Sequence, residues 1–353
     1  MARDRVTLLS STIGRREILR LGGGVAALAL GAGAALAGPA SRAEAQGTAA
    51  MSMQFAWFLN SQAAGELVAI AKGYYRDVGI DLKMQPGGPA LDPIQVVAGG
   101  GTTFGDVASI GVLLNARSRG LPIKAFGTVL QKHPFAFFFL KSSGIRTPKD
   151  FEGKTIGIQP TARPLLDAVL HKHNVPKDRV KVIFVGGDIA PLATHQVDVI
   201  TGWVIDRLPL FASLGLATQV GYFRLWDLGI RQYAYTYFTT DQAYTQRREV
   251  LTRFLSASAR GWLDARDHPE EAIDIVLKSA SGLNRALEIT TLKNMGDYFT
   301  SIATKQHGWG YMDPKVWAEL SDTYFALEQM PRPVKPDEIM TNDLVSAAKT
   351  PKV

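Results

Sequence analysis

Twice along this chain, short runs of β-branched and aromatic residues alternate with helical stretches, and after that the alternation stops. Residues 53–58 (MQFAWF) alternate and are rich in aromatics, as a strand is. A helical stretch over residues 64–75 follows, Gly79 breaks it, and residues 80–84 read as the next strand. Residues 86–89 form a loop, and Asp92 stands where the N-cap of a short helix through Val97 belongs. Strand 104–108, helix 112–119 and strand 123–129 continue the pattern. The apolar run 135–140 opens a second unit, with strands at 155–158, 180–185 and 198–201 and helices at 165–173, 192–196 and 208–214. Such alternation specifies a parallel sheet covered on both faces. Beyond the strand at 232–238, residues 241–265, 269–278, 285–300 and 314–327 carry apolar positions at three- and four-residue spacing and read as helices. The expected architecture is α/β with two lobes, each a sheet flanked by helices. Residues 51–133 and 232–345 form lobe 1 and residues 134–231 form lobe 2. The chain crosses between them at 131–135 and 231–235, and the helical C-terminal part packs on lobe 1.

The first 45 residues fall outside that pattern. Arg15 and Arg16 precede a small-residue apolar run at 21–37, which looks like a twin-arginine export signal. Ala43-Glu44-Ala45 offers the small residues a signal peptidase needs, making Gln46 the expected first mature residue. The run holds too much Gly and Ala for a lasting anchor, which needs ~20 strongly apolar residues. Removing it leaves 308 of 353 residues, enough for two lobes of ordinary domain size. The chain has no cysteine, which excludes disulfides, thiolate metal sites, cysteine nucleophiles and lipid attachment at the processing site. The expectation is a soluble periplasmic protein that is not a lipoprotein. Of the net charge of +7, the signal contributes +3, and the rest is spread without a basic block, so a nucleic-acid surface is not expected. Gly-x-Ser-x-Gly, phosphate-loop and His-Glu-x-x-His patterns are absent from the sequence. His171 and His173 fall on different faces of a helix, so no metal pair and no cofactor are expected.

Three stretches carry a resemblance. They are Trp57-Phe58-Leu59-Asn60 with residues 71–82 (AKGYYRDVGIDL), residues 144–157 (GIRTPKDFEGKTIG), and Gln196-Val197-Asp198-Val199 followed by Gly202-Trp203. Through them the whole mature chain resembles the periplasmic solute-binding proteins of ABC importers, in the branch of sulfonate, nitrate and thiamine-precursor (pyrimidine) binders. The resemblance implies a type II-like two-lobed fold that closes on a small molecule and docks, as a monomer, on an inner-membrane permease with its ATPase. Within the branch, the Trp57–Asn60 start is most similar to the pyrimidine binders, which hold a flat heterocycle between aromatic rings. A eukaryotic pyrimidine synthase shares the architecture, but its cysteine-rich segment has no counterpart here, so an enzyme is not expected. The alternatives are a flavin, an aromatic carboxylate gripped by Arg163, an alkyl sulfonate, or a periplasmic ligand sensor docking on a signalling receptor.

In open α/β sheets a ligand sits beyond the carboxyl ends of the strands. Trp57, Asn60 and Gln62 follow the first strand, and Gly88 and Asp92 follow the second. Gln131 and His133 stand at the crossing, Thr161 and Arg163 follow one strand of lobe 2, Trp203 and Asp206 another, and Tyr235 lies in the returning strand. Each has a plainer reading: Trp57 as core, Asn60 and Asp92 as helix caps, Asp206 as a partner of Arg207, and His133 as a surface group. A planar ring gains from burial and stacking on an indole while a few polar groups orient it. Trp57 and Trp203 are therefore expected to sandwich the ring, with Asn60, Gln62 and Asp206 reading its nitrogens. A sulfonate or nitrate site would instead converge donors and a helix N-terminus on an anion.

Overall fold

The computed structural model describes residues 48–88 and 91–353; the export segment, the cleavage site, Gln46 and Pro89 lie outside the described residues. The strands are β1 (Ala49–Gln54), β2 (Ile80–Gln85), β3 (Phe104–Val107), β4 (Ile123–Leu130), β5 (Phe135–Leu140), β6 (Thr155–Ile158), β7 (Lys181–Phe184), β8 (Val199–Trp203), β9 (Val220–Arg224) and β10 (Ala234–Thr240). They form two five-stranded sheets, ordered β2-β1-β3-β10-β4 and β7-β6-β8-β5-β9. The sheets are mixed rather than parallel. β10 runs antiparallel to β3 and β4, and β5 runs antiparallel to β8 and β9. Both strands come straight from the other sheet without an intervening helix, so no strand–helix–strand crossover dictates their direction. The result is α/β, with helices flanking each sheet.

Mixed pairing is what positions the site. Thr236 pairs with Val107, so β10 begins at the edge where β3 ends. Phe135 pairs with Trp203, so β5 likewise begins where β8 ends. The two connections between the sheets therefore arrive at the strand ends and are tied there, His133 donating its backbone N–H to the Gln232 carbonyl at 2.9 Å.

Some boundaries differ from expectation. β1 stops at Gln54, because its ladder with β2 ends at the Gln54–Gln85 pair and Phe55–Phe58 turn away. The helix expected over 64–75 breaks at Gly73, whose φ of 79° lies in the left-handed region, leaving Ala64–Ala71 and Tyr74–Asp77. The long helix beyond β10 divides at Arg247 into Asp241–Gln246 and Arg248–Asp267. β9 was not anticipated. The C-terminal helices pack mainly about the first sheet, but Arg285–Gly296 also lies against Val204–Ser213, which follows β8, and Asn294 Nδ2 donates to the Ile205 carbonyl at 3.1 Å. Among the described residues no helix is long and apolar enough to cross a membrane.

Candidate functional site

The aromatics that leave β1 are aimed by a polar knot. Gln54 is buried, and its Nε2 donates to the carbonyls of Phe55 (3.0 Å), Gln85 (3.3 Å) and Pro86 (3.2 Å). Gly87 N–H donates to the Trp57 carbonyl at 2.8 Å. A side chain at Gly87 would meet the Phe55 carbonyl oxygen at 2.1 Å, so only glycine lets the two segments approach. Held this way, Trp57 is 40% exposed and Phe58 55% exposed, edge-on to each other at 5.4 Å. Gly88 lies under the Phe58 ring. The strand ends thus carry an apolar lip.

Deeper in, β10 and the first helix form a ladder. Two residues along a strand span about 6.6 Å and four along a helix about 6 Å, so Tyr235 and Tyr237 match Gln62 and Glu66. Tyr235 Oη donates to Gln62 Oε1, and Tyr237 Oη donates to Glu66 Oε1, which also accepts Trp262 Nε1 at 3.0 Å. Tyr235 has φ of 50°, in the left-handed region that costs a tyrosine of order 1 kcal/mol or more. Its ring stacks on Phe55 (5.8 Å) and meets Trp203 at 5.2 Å and 58°. Trp203, half-buried, also contacts His133 at 5.2 Å. The structure therefore brings Trp203, Tyr235, Gln62 and His133 together where both crossings meet. His133 is buried, not a surface group. Burial pushes its imidazole down to about 3 against the raising effect of the Ala108 carbonyl, so the ring stays neutral, and Nδ1 accepts the Phe135 N–H at 3.1 Å.

Other candidates make local contacts within the fold. Asn60 Oδ1 accepts the Gln62 N–H at 2.9 Å as a cap, and Asp92 Oδ1 does the same for Ile94. Gln131 is buried and holds the fold at both ends of its amide, Nε2 donating to the Tyr311 carbonyl (3.0 Å) and Oε1 accepting from Ser301 Oγ (2.9 Å). Arg163 pairs with Asp167 at 2.8 Å one helical turn away, and Thr161 is exposed in the turn after β6. Trp57 has Phe58 as its ring neighbour, whereas Trp203 has Tyr235 and His133. Asp206 lies in the first turn of Val204–Ser213, an ordinary place for an acid.

Three acids near the site were missed as candidates. Asp106 Oδ1 accepts the Ala56 N–H at 2.7 Å, and burial, reinforced by the charge of Glu66, holds its carboxyl well above the usual range. Burial raises Glu66 to about 7 despite the two donors on it. Glu288 accepts the Ser61 N–H at 2.9 Å. With Asp206, these acids all act on Tyr235, which burial first and their charges second keep protonated. An acid inside the apolar run Phe104-Gly105-Asp106-Val107 was a readable signal; Glu288, on an outwardly ordinary helix, offered none.

One trio, Asp264, His268 and Glu271, places ligand atoms within 4.8 Å of one another. Lys72 Nζ already sits between two of them, at 3.0 Å from Asp264 and 2.9 Å from Glu271, and supplies the countercharge a cation would bring.

The chain matches the family described as NMT1/THI5 like over residues 60–272. It is 28% identical over 330 residues to the riboflavin-binding protein RibY of Chloroflexus aurantiacus, covering 89% of this chain and 91% of that protein. It is 24% identical over 292 residues to the formylaminopyrimidine-binding protein of Halalkalibacterium halodurans, covering 81% and 88%. Among solved structures, the alkanesulfonate-binding protein SsuA from Xanthomonas axonopodis pv. citri bound to MOPS superposes with a TM-score of 0.61 at 17% identity, over 84% of this chain and 100% of that one. That likeness shows the fold, a periplasmic binding protein fold. With the family match spanning more than half of its length, the chain belongs to the NMT1/THI5-like family.

Proposed function

We propose that this protein is the periplasmic substrate-binding component of an ABC importer and that its ligand is a flat aromatic heterocycle, a pyrimidine of the thiamine-precursor type. In this reading residues 51–133 and 232–345 form one lobe and residues 134–231 the other, and the mature chain reaches the periplasm by twin-arginine export to dock on a permease. The observation that carries it is the convergence of Trp203, Tyr235 and neutral His133 with Gln62 at the strand ends, beneath the exposed Trp57–Phe58 lip. Rings stack there, and the polar groups at the floor orient them. The formylaminopyrimidine-binding relative supports the pyrimidine, and the binding-protein names of both relatives support a binder rather than an enzyme. A flavin is the second reading, favoured by the riboflavin-binding relative, whose match spans 89% of this chain.

Trp203→Ala tests the reading. Stacking contributes about 0.5–1.5 kcal/mol beyond burial, and lost burial adds about 25 cal/mol per Å² of apolar surface. Affinity for a pyrimidine, measured by calorimetry, should fall more than tenfold while the melting profile stays cooperative. Unchanged affinity in this variant would place the ring elsewhere. Trp57→Ala should also weaken binding, with a loss of indole quenching on titration.

A further inference from the structure

Arg207 makes no ion pair and no hydrogen bond among the described residues, and its Nε is buried without a partner. An arginine is permanently charged and presents its donors in a rigid plane. Half-buried as it is, Arg207 has given up water on part of that plane and gained no acceptor in return.

Two glycines seat it there. A side chain at Gly202 would meet Arg207 Nε at 2.5 Å and Cγ at 2.7 Å, and one at Gly187 would stand 3.7 Å from Nη2. Gly202 belongs to β8 and Gly187 lies just beyond β7, with β6 between those strands in the sheet. β6 runs parallel to both, so the arginine spans three carboxyl ends, where ligands of such sheets sit. Trp203 leaves β8 next to Gly202, which puts the ring site and the guanidinium side by side.

The same edge offers further donors. Val185 N–H still reaches the Ile158 carbonyl at 3.1 Å, but the N–H groups of exposed Gly186 and Gly187 donate to nothing among the described residues. Exposed Thr161 adds a hydroxyl at the end of β6. The acids nearby leave the charge unanswered. Burial raises the neighbouring Asp206 carboxyl towards its neutral form, against the pull of Arg207. Asp188 turns back to accept the Ala190 N–H at 2.9 Å, and Glu288 accepts the Ser61 N–H.

We propose that Arg207, with the amides of Gly186 and Gly187, forms an anion subsite beside Trp203 that takes a phosphate or carboxylate carried on an arm of the ring ligand. The proposal rests on the heterocycle reading above and adds a charged arm to the ring. A guanidinium meets the oxygens of either group in a two-pronged, charge-assisted contact. Successive backbone N–H groups make a concavity suited to the same anion.

The test is calorimetry on the full mature chain with two matched pairs: a hydroxymethylpyrimidine with its phosphate ester, and riboflavin with flavin mononucleotide. In the pair that binds, the phosphate should bind at least tenfold tighter than the alcohol, and added salt should narrow the gap. Arg207→Gln should weaken the phosphate until the two members lie within about threefold of each other. Gly187→Asp sets a carboxylate beside the guanidinium, so it should erase the same preference with Arg207 still in place. It also serves if Arg207→Gln fails to fold. An alcohol that binds the wild type as tightly as its phosphate, or a preference that survives both substitutions, overturns the proposal and leaves the heterocycle reading standing. Absence of heat from all four probes overturns both.

Discussion

Gly65→Ala is expected to destabilise the protein by about 3 kcal/mol, the upper part of the range for overpacking a tight core. A Cβ at Gly65 would lie 2.2 Å from the Trp262 ring, and one at Gly261, on the facing helix, 2.2 Å from the Gly65 carbonyl oxygen. Ala64–Ala71 and Arg248–Asp267 cross there backbone to backbone. Trp262 cannot retreat: it is fully buried, its Nε1 donates to Glu66, and Phe299 packs edge-on at 5.2 Å. Thermal unfolding would show a drop of several degrees, and binding should weaken too because Gln62 opens into the same helix. Gly186→Ala is the control, since a Cβ there meets nothing within 4 Å. Equal melting temperatures for the two variants would contradict the packing described.

Glu66→Gln is expected to do the opposite, stabilising the protein above neutral pH. The carboxyl titrates near 7 in the folded chain against 4.5 for the free group, chiefly because burial disfavours its charge. The folded state therefore binds more protons between those values. Its contribution is fully present below about pH 4.5, is lost as pH rises towards 7, and then stays constant as a penalty of about 3 kcal/mol. The amide keeps an acceptor for Tyr237 and Trp262 and carries no charge. Removing that charge also relieves Asp106, which Glu66 pushes further up. Denaturant unfolding from pH 4 to 9 should show stability falling through this window in the wild type and much less in the variant. Parallel profiles would mean Glu66 is solvated.

Much of this fold was legible because local chemistry and tertiary structure agree. The apolar run at 135–140 is β5 to the residue, and Asp92 and Asn60 cap where their side chains predicted. The aromatic alternation at 55–58 misled because strand-like composition served exposure at a lip, and the true strand, Ala49–Gln54, is set by pairing with β2. β9 reads Val-Gly-Tyr-Phe-Arg, too short and too interrupted to show a period, and exists because β5 offers it an edge. Strand-end positions pointed to Trp203, Tyr235 and Gln62, and the structure brings these three side chains together. The fold partners of Gln131, Tyr311 and Ser301, lie 170 or more positions along the chain, and no local pattern encodes them. Glu66 and Glu288 matter through residues more than 170 positions away, which no local pattern encodes.

Calorimetric titration of the mature chain with a thiamine-precursor pyrimidine, with riboflavin and with an alkanesulfonate tests the central claim most directly. Stacking a planar ring at Trp203 and Tyr235 buries apolar surface, so the pyrimidine should bind one to one at micromolar affinity or tighter with a negative heat-capacity change. Saturable sulfonate binding with no heat from either heterocycle would contradict the account.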